Sequence, residues 1–245
     1  MTALRQYAQL VALHMRMFRS FMLIISIVNI AMAFGLILGF SYIIPDISDS
    51  TARFLITGTV TQMMVTIGLV ALPQNLSEMK HDGRVEYFFT LPISREAYLL
   101  SLVTVAFIQS LPSMVLALLF GAWYFEVSLA LDPALVLVAP LAVLSLAGIG
   151  VTLAVISPHQ QLTNVLTQLI IFYVLFFGPV LLPESQLPVA LRHISDFMPT
   201  SYVADAIRGS TTDLPGTHLG RSLAVMAAFG LFSVTLSAIS VRRRG

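Results

Sequence analysis

Six long apolar runs divide the chain, and the central part of each run contains no Asp, Glu, Lys, Arg or His. A helix needs about 20 mostly apolar residues to cross the hydrocarbon of a bilayer. With only 10% charged residues against about 25% in soluble domains, the chain has too few charges to cover a water-facing surface. We therefore predict an all-α polytopic membrane protein with six transmembrane helices. The predicted spans are Phe21–Ile44, Phe54–Pro73, Tyr98–Phe125, Pro133–Ile156, Val165–Leu182 and Leu219–Val241.

The basic residues at the ends of these runs predict the orientation. Lys and Arg accumulate on the cytoplasmic side of membrane proteins. The side that carries the N-terminus holds nine of them: Arg5, Arg16, Arg19, Lys80, Arg84, Arg95, Arg242, Arg243 and Arg244. The other side holds four: Arg53, Arg192, Arg208 and Arg221. We predict that both termini are cytoplasmic.

Residues 1–20 are predicted to form an amphipathic helix at the cytoplasmic interface, within a single transmembrane domain over residues 1–245. One helical stripe is apolar, as in helices that lie on a membrane surface; it comprises Leu4, Ala8, Val11, Met15 and Phe18. The alternative is a simple extension of the first span. That span carries Gly35-x-x-x-Gly39, a spacing that allows close helix contact.

On the outer side, residues 183–218 form a long polar stretch that is predicted to contain two short helices and to re-enter the outer leaflet. The first helix has an apolar stripe, which comprises Leu187, Leu191, Ile194 and Met198. The second begins at Thr200 or Ser201, after Pro199. Asp205 and Arg208 are three residues apart, so they can pair on one helix face, and we predict a solvated surface pair.

A charged interruption, residues 75–94, separates the second and third spans. It contains Lys80, the single lysine of the chain, together with Glu78, Asp82, Arg84 and Glu86. A segment of this charge must lie in water or on a soluble partner. It ends at Ser94, which is predicted to cap the third span with Glu96 in its first turn. Pro112, in the middle of that span, predicts a kink.

The chain contains none of the residue patterns that would indicate an enzyme. A phosphate-binding loop needs Gly-x-x-x-x-Gly-Lys-Ser/Thr, and Lys80 stands between Met79 and His81. There is no cysteine, the five histidines are isolated, and no metal site or catalytic group is predicted. Nucleic-acid binding is not expected either, because the basic residues form no stripe. Proton-driven carriers usually need a titratable group in the membrane, so energy is expected to enter through residues 75–94.

Two ordered motifs resemble the membrane subunits of ABC-2 type transporters. The first cytoplasmic loop has Glu78, then Asp82-Gly83-Arg84-Val85-Glu86, then Thr90-Leu91-Pro92-Ile93-Ser94-Arg95, similar to the family pattern Glu…Gly-x-x-Glu…Leu-Pro-Ile/Val-Ser-Arg. Met198-Pro199-Thr200-Ser201-Tyr202-Val203-Ala204-Asp205-Ala206-Ile207-Arg208 is similar to the family's Asn-Pro-x-x-Tyr-x-x-Asp-x-x-Arg segment, with Met198 in place of the usual Asn.

The resemblance implies a permease that is half of an exporter in the bacterial cytoplasmic membrane. Its partners would be separate ABC ATPase subunits, which bind ATP and Mg²⁺, and a second copy of the chain or a related permease. The chain itself would hold no cofactor. Amphipathic drugs or lipid-like molecules are the expected substrates. Residues 75–89 would form a coupling helix that docks on the ATPase.

The resemblance also implies three groups of functional residues. The coupling group is Glu78, Lys80, Asp82, Arg84, Glu86 and Arg95. The lining of the substrate path, between two subunits, is assigned to Asn29, Thr59, Gln62 and Gln168. The outer gate is assigned to Tyr202, Asp205 and Arg208. Interhelical hydrogen bonding is the alternative role for the polar residues of the second span. The alternative function is an ion-driven secondary transporter of a hydrophobic substrate; a membrane enzyme or assembly factor would need a paired acid or metal site.

Overall fold

The computed structural model describes residues 3–44, 47–91, 93–178, 180–181, 195, 198–212, 214 and 216–242. Within these ranges the chain forms helices and no strand. The helices are α1 (Ala3–Met17), α2 (Arg19–Ile43), α3 (Asp49–Val65), a π-helical segment (Thr66–Ala71), α4 (Leu72–His81), α5 (Arg84–Thr90), α6 (Arg95–Tyr124), α7 (Leu135–Ile156), α8 (Gln160–Phe177), α9 (Pro199–Thr211) and α10 (Leu219–Arg242).

Each of the six predicted spans overlaps a described helix. Four helices in the described part of the chain are long and apolar enough to cross a membrane: α2, the continuous helix Asp49–His81, α6 and α7. Two further apolar helical stretches are described within α8 and α10, namely Gln160–Phe176 and Leu219–Phe232. The chain is therefore an integral, multi-pass membrane protein, and the crossing of α8 and α10 stays a prediction.

Some predicted features lie outside the described residues. They are Leu182 at the end of the fifth span, the stripe residues Leu187, Leu191 and Ile194, and Arg192, Arg243 and Arg244 of the charge count.

The helix Asp49–His81 is the centre of the fold and is longer than the predicted span of residues 54–73. In its most apolar stretch 94% of the residues are buried within the chain, against 17% in α2. It begins with a cap, because the Ser48 hydroxyl accepts from the Thr51 N–H at 3.3 Å and satisfies one free amide of the first turn. It continues beyond the apolar run as α4, so the charged loop is a direct extension of the most buried span.

The π-helical segment brings this helix close to α7. Pro73 follows the segment and has no N–H, so one carbonyl of the preceding turn loses its helical donor. The Gly68 carbonyl oxygen lies so close to Gly150 of α7 that a Cβ on Gly150 would meet it at 2.3 Å. Conversely, a Cβ on Gly68 would meet Leu146 Cβ at 2.9 Å. The absence of side chains at Gly68 and Gly150 therefore lets the π turn and α7 pack in close contact.

Helix α1 packs on α6 through a different face from the predicted apolar stripe. Leu10 and His14 are buried, whereas Leu4 and Met15 of the stripe are exposed. The Tyr7 hydroxyl contacts Thr104 Oγ1 of α6 at 2.5 Å. Leu4 and Met15 are therefore turned away from the protein, whereas Phe18, at the end of the stripe, is half-buried and stacks on His14.

Helix α6 begins as the sequence predicts, because the Ser94 hydroxyl accepts from the Ala97 N–H at 3.2 Å. The helix continues through Pro112 to Tyr124, and a kink there stays a prediction. The Gly35-x-x-x-Gly39 pair makes no close helix contact in the described chain, since a Cβ on either glycine would have nothing within 4 Å. Both glycines face away from the bundle on the peripheral helix α2.

Candidate functional site

The charged loop of residues 75–94 contains two helices joined by a turn, so the expectation of one continuous helix over residues 75–89 is wrong. Helix α4 ends at His81, and α5 begins at Arg84. Gly83 between them has φ of 71°, a left-handed conformation that suits glycine and ends helices. The turn folds α5 back toward the start of α6.

The polar surface of this loop is acidic and organised by one arginine. Arg84 Nη2 lies 2.5 Å from Asp82 Oδ2 and 3.4 Å from Glu78 Oε1. Glu86 is exposed on α5, beside Tyr87, which is 65% exposed. We call these five residues the coupling face. The carboxylates outnumber the arginine by three to one, so the face suits a partner surface with basic residues.

The underside of α5 is held by an aromatic cluster that the sequence did not reveal. The His14 ring lies 5.1 Å from Tyr98 and 5.9 Å from Phe88, between ring centroids, and Phe88 lies 5.3 Å from Tyr98. His14 Nδ1 contacts Ser101 Oγ at 2.9 Å. The cluster joins α1, α5 and α6, so the N-terminal helix and the loop form one packed unit.

Arg95, the last residue of the predicted coupling group, lies beside this cluster. Its guanidinium carbon is 5.2 Å from the centroid of the Phe89 ring, a cation–π distance. It therefore holds the end of α5 against the beginning of α6.

Lys80 takes a different direction from the other residues of the predicted coupling group. Its Nζ donates to the carbonyl oxygens of Ser157 at 2.8 Å, Val155 at 3.0 Å and Ala154 at 3.4 Å. These carbonyls form the C-terminal end of α7. The structure thus places the Lys80 ammonium against the C-terminal end of α7.

Two buried polar pairs join α4 to α8. Gln74 Nε2 donates to Thr167 Oγ1 at 2.9 Å, and Thr163 Oγ1 donates to Ser77 Oγ at 3.0 Å. Ser77, Thr163 and Thr167 are at most 3% exposed. The loop helix α4 is therefore attached to α7 by Lys80 and to α8 by these pairs.

The four residues assigned to the substrate path do not share one surface in the single chain. Asn29, Thr59 and Gln62 are buried, whereas Gln168 is exposed on α8. Both polar atoms of the Gln62 amide, and the Thr59 hydroxyl, are buried without a hydrogen-bond partner among the described residues. Asn29 Nδ2 donates to the Ile25 carbonyl at 3.1 Å within its own helix.

The other threonines of the second span form hydrogen bonds within their own helix. Neither of the two predicted roles, lining of a substrate path or interhelical hydrogen bonding, describes these bonds. Thr57 Oγ1 donates to the Arg53 carbonyl at 2.9 Å, and Thr61 Oγ1 donates to the Thr57 carbonyl at 2.9 Å. A threonine hydroxyl in a helix can reach the carbonyl four residues earlier, which satisfies it without a partner helix.

The predicted solvated pair of Asp205 and Arg208 is wrong. Arg208 is 8% exposed; its Nη2 donates to the Val180 carbonyl, and its guanidinium carbon is 3.7 Å from the Phe54 ring centroid. Asp205 instead accepts from the His218 N–H at 3.1 Å and from Ser222 Oγ at 2.6 Å. It caps the N-terminus of α10, where a carboxylate is favourable.

Tyr202, the third residue assigned to the outer gate, lies 5.8 Å from the Arg221 guanidinium carbon, measured to its ring centroid. Tyr202, Asp205 and Arg208 therefore connect α9 to α3 and α10. The residues that the structure describes include no group of three or more His, Asp or Glu that could hold a metal ion.

The arrangement is a helical bundle from which the packed, charged pair of helices α4 and α5 extends. The ABC-2 type transporter family model matches residues 7–211, most of the described chain. The chain belongs to the ABC-2 type transporter family.

The chain is also similar to Nodulation protein J of Rhizobium meliloti (strain 1021), with 26% identity over 101 residues. The alignment covers 41% of this chain and 38% of that protein. The likeness is thus partial, and the matched region spans well under half of either chain.

Proposed function

We propose that this ABC-2 permease is the membrane half of an ATP-driven exporter. In this proposal α4 and α5 contact the ATPase and are moved by its conformational change. One observation carries the proposal: the helix Asp49–His81 runs without interruption from the most buried part of the bundle to the exposed coupling face. A displacement of that face must move the core of the protein, because the two belong to one helix.

The coupling face provides the docking surface in this proposal. Its carboxylates are exposed and arranged around Arg84, while Phe88 of α5 is 8% exposed and fixed in the aromatic cluster. Arg95 supports the same helix. ATP and Mg²⁺ would be bound by the ATPase subunit, whose energy reaches this chain through the contact.

We propose six transmembrane helices with both termini in the cytoplasm of a bacterium. Residues 1–20 would lie at the inner interface, residues 75–94 would form the coupling loop, and residues 183–218 would form the outer re-entrant segment with Tyr202, Asp205 and Arg208 as its gate. The position of Lys and Arg residues supports this orientation.

The complete transporter would contain a second copy of this chain or a related permease. Helix α8 supports this proposal, because Gln168 is exposed there beside Leu169 and Phe172, which are 60% and 56% exposed. An amide in contact with hydrocarbon is costly. This face therefore suits a second subunit or a substrate path, with Asn29, Thr59 and Gln62 reached when the helices separate.

The apolar character of that face favours an amphipathic, drug-like or lipid-like substrate. Export of such a compound would make the complex an efflux system. The chain would supply the path, and the partner would supply the energy.

Reconstitution with the ATPase tests the proposal. Glu78→Ala and Glu86→Ala are expected to reduce ATP-dependent transport by roughly tenfold, the effect of losing about 1.4 kcal/mol of a docking contact, without reducing membrane insertion. Asp49→Ala is the matched control, since Asp49 is an exposed carboxylate at the other end of the same helix. Its transport should stay close to that of the wild type.

Transport that proceeds normally in both variants would contradict the role of the coupling face. Transport driven by an ion gradient in vesicles that contain this chain alone, without ATP, would contradict the exporter and favour a secondary carrier.

A further inference from the structure

Lys80 caps a helix to which it does not belong. It is the single lysine of the chain, and its Nζ lies 2.8–3.4 Å from three carbonyl oxygens at the end of α7. The last carbonyls of a helix have no partner within the helix and carry its negative dipole end. An ammonium group has three N–H donors, so it matches the three carbonyls in charge and in number.

The same helix α4 is attached to α8 on the next turn. Ser77 meets Thr163, and Gln74 meets Thr167. Positions three apart on α4 thus meet positions four apart on α8, which is the spacing of neighbours on one helix face. Lys80, Ser77 and Gln74 follow one another at intervals of three residues, so one line along α4 makes all of these bonds.

We propose that Lys80 is a positioning residue that locks α4 to the junction of α7 and α8, so that movement of the coupling face is carried into α7 and α8 as one unit. The inference rests on the proposed function and names the helices, α7 and α8, into which the movement is carried. The resemblance grouped Lys80 with the ATPase contacts, whereas its ammonium binds carbonyl oxygens of α7 within the chain.

Substitutions at Lys80 separate this role from docking. Lys80→Met keeps the length of the side chain and removes the charge, and Lys80→Arg keeps a cation. We expect Lys80→Met to lower the number of substrate molecules moved per ATP by roughly tenfold, the size of one lost charge-assisted hydrogen bond. Hydrolysis by the reconstituted complex should persist, and Lys80→Arg should recover most of the ratio.

His81→Met is the matched control, because His81 is the next residue and is exposed. It should behave as the wild type. If Lys80 served only to stabilise the fold, Lys80→Met would lower the folded yield and leave the ratio of transport to hydrolysis unchanged in the protein that folds. That result would overturn the inference.

A reversible cross-link tests the unit directly, because the chain has no cysteine of its own. The Oγ atoms of Ser77 and Thr163 are 3.0 Å apart, so Ser77→Cys with Thr163→Cys places two thiols within reach of a disulfide. We expect the oxidised double variant to transport as fast as its reduced form. In the Lys80→Met background, oxidation should restore the ratio of transport to hydrolysis.

Oxidation that stops transport, with recovery on reduction, would show that α4 and α8 separate during the cycle and would overturn the inference. Failure of the proposed function gives a different result. If the wild-type protein moves substrate without ATP, both the proposed function and the inference are contradicted. If wild-type transport requires ATP and Lys80→Met has the same ratio of transport to hydrolysis, only the inference is contradicted.

Discussion

His14 shows how a single side chain fixes the N-terminal helix. It is fully buried among Phe18, Phe88 and Tyr98, and its Nδ1 contacts Ser101. Nε2 is buried without a hydrogen-bond partner in the described part of the chain. Burial disfavours the charged imidazolium and lowers the pKa of His14 from 6.5 to about 4. The side chain is therefore neutral at physiological pH.

This pKa predicts acid sensitivity of the folded protein. Below pH 6.5 the unfolded state binds a proton that the folded state rejects until about pH 4. Folded stability should therefore fall as the pH is lowered through this window, by up to about 3 kcal/mol. Thermal unfolding of the protein in lipid nanodiscs at pH 7.5, 6 and 5 measures the loss.

His14→Phe retains an aromatic ring and removes the titration, so the difference between its unfolding midpoint and that of the wild type should shrink or reverse as the pH falls. His81→Phe is the control at an exposed histidine. Equal acid sensitivity of the wild type and His14→Phe would show that the proton binds elsewhere.

At the scale of secondary-structure elements, the contact between the π segment and α7 joins the central helix Asp49–His81 to α7. Gly150 lies against the Gly68 carbonyl and the Pro73 ring. Backbone atoms and a proline ring cannot easily move aside for an added Cβ, whereas the end of a flexible side chain can. The contact depends on the absence of a side chain at that position.

Gly150→Ala is therefore expected to destabilise the protein by about 1–3 kcal/mol, as overpacking does in close-packed interiors. The added Cβ would stand 2.3 Å from the Gly68 oxygen and 3.1 Å from Pro73 Cδ. Thermal unfolding and folded yield in nanodiscs measure the cost.

Gly35→Ala is the control, because a Cβ there meets nothing within 4 Å and alanine is the better helix former. It should leave stability unchanged or raise it slightly. Equal stability of the two variants would refute the close approach.

At the scale of the whole molecule, the absence of native cysteines allows the six-span topology to be tested with single introduced thiols. We expect a membrane-impermeant maleimide to label Ser50→Cys and His218→Cys in intact cells. Thr90→Cys and His159→Cys should be labelled only after the membrane is opened. All four positions are exposed. Labelling of His159→Cys in intact cells would show that α7 or α8 does not cross as predicted.

The elements that the sequence predicted well are those set by local chemistry. Apolar length placed the helices, and Ser94 started α6 as expected, because capping involves residues three apart. The division of residues 75–89 into α4 and α5 at Gly83 was not predicted, although glycine commonly ends helices. The positive φ of Gly83 follows from the fold of α5 onto α6, which local patterns do not contain.

The misplaced residues all depend on contacts between distant parts of the chain. Lys80 reaches carbonyls more than 70 residues away, and Arg208 reaches Phe54. Helical spacing alone put Arg208 beside Asp205. Similarly, the apolar stripe of α1 was real, but His14, a polar residue in an aromatic cluster, defined the docked face.

The π segment has a further consequence for the helix in which it lies. A π turn holds more residues than an α turn, so the segment places extra residues within one turn of Asp49–His81. If the segment became α-helical, the helix beyond it would rotate by about 100° for each residue that the turn no longer holds. Gln74 and Ser77 would then face away from Thr167 and Thr163. The two polar pairs therefore fix the rotation of the helix beyond the π segment. While both hydrogen bonds are made, the helix has only one permitted register.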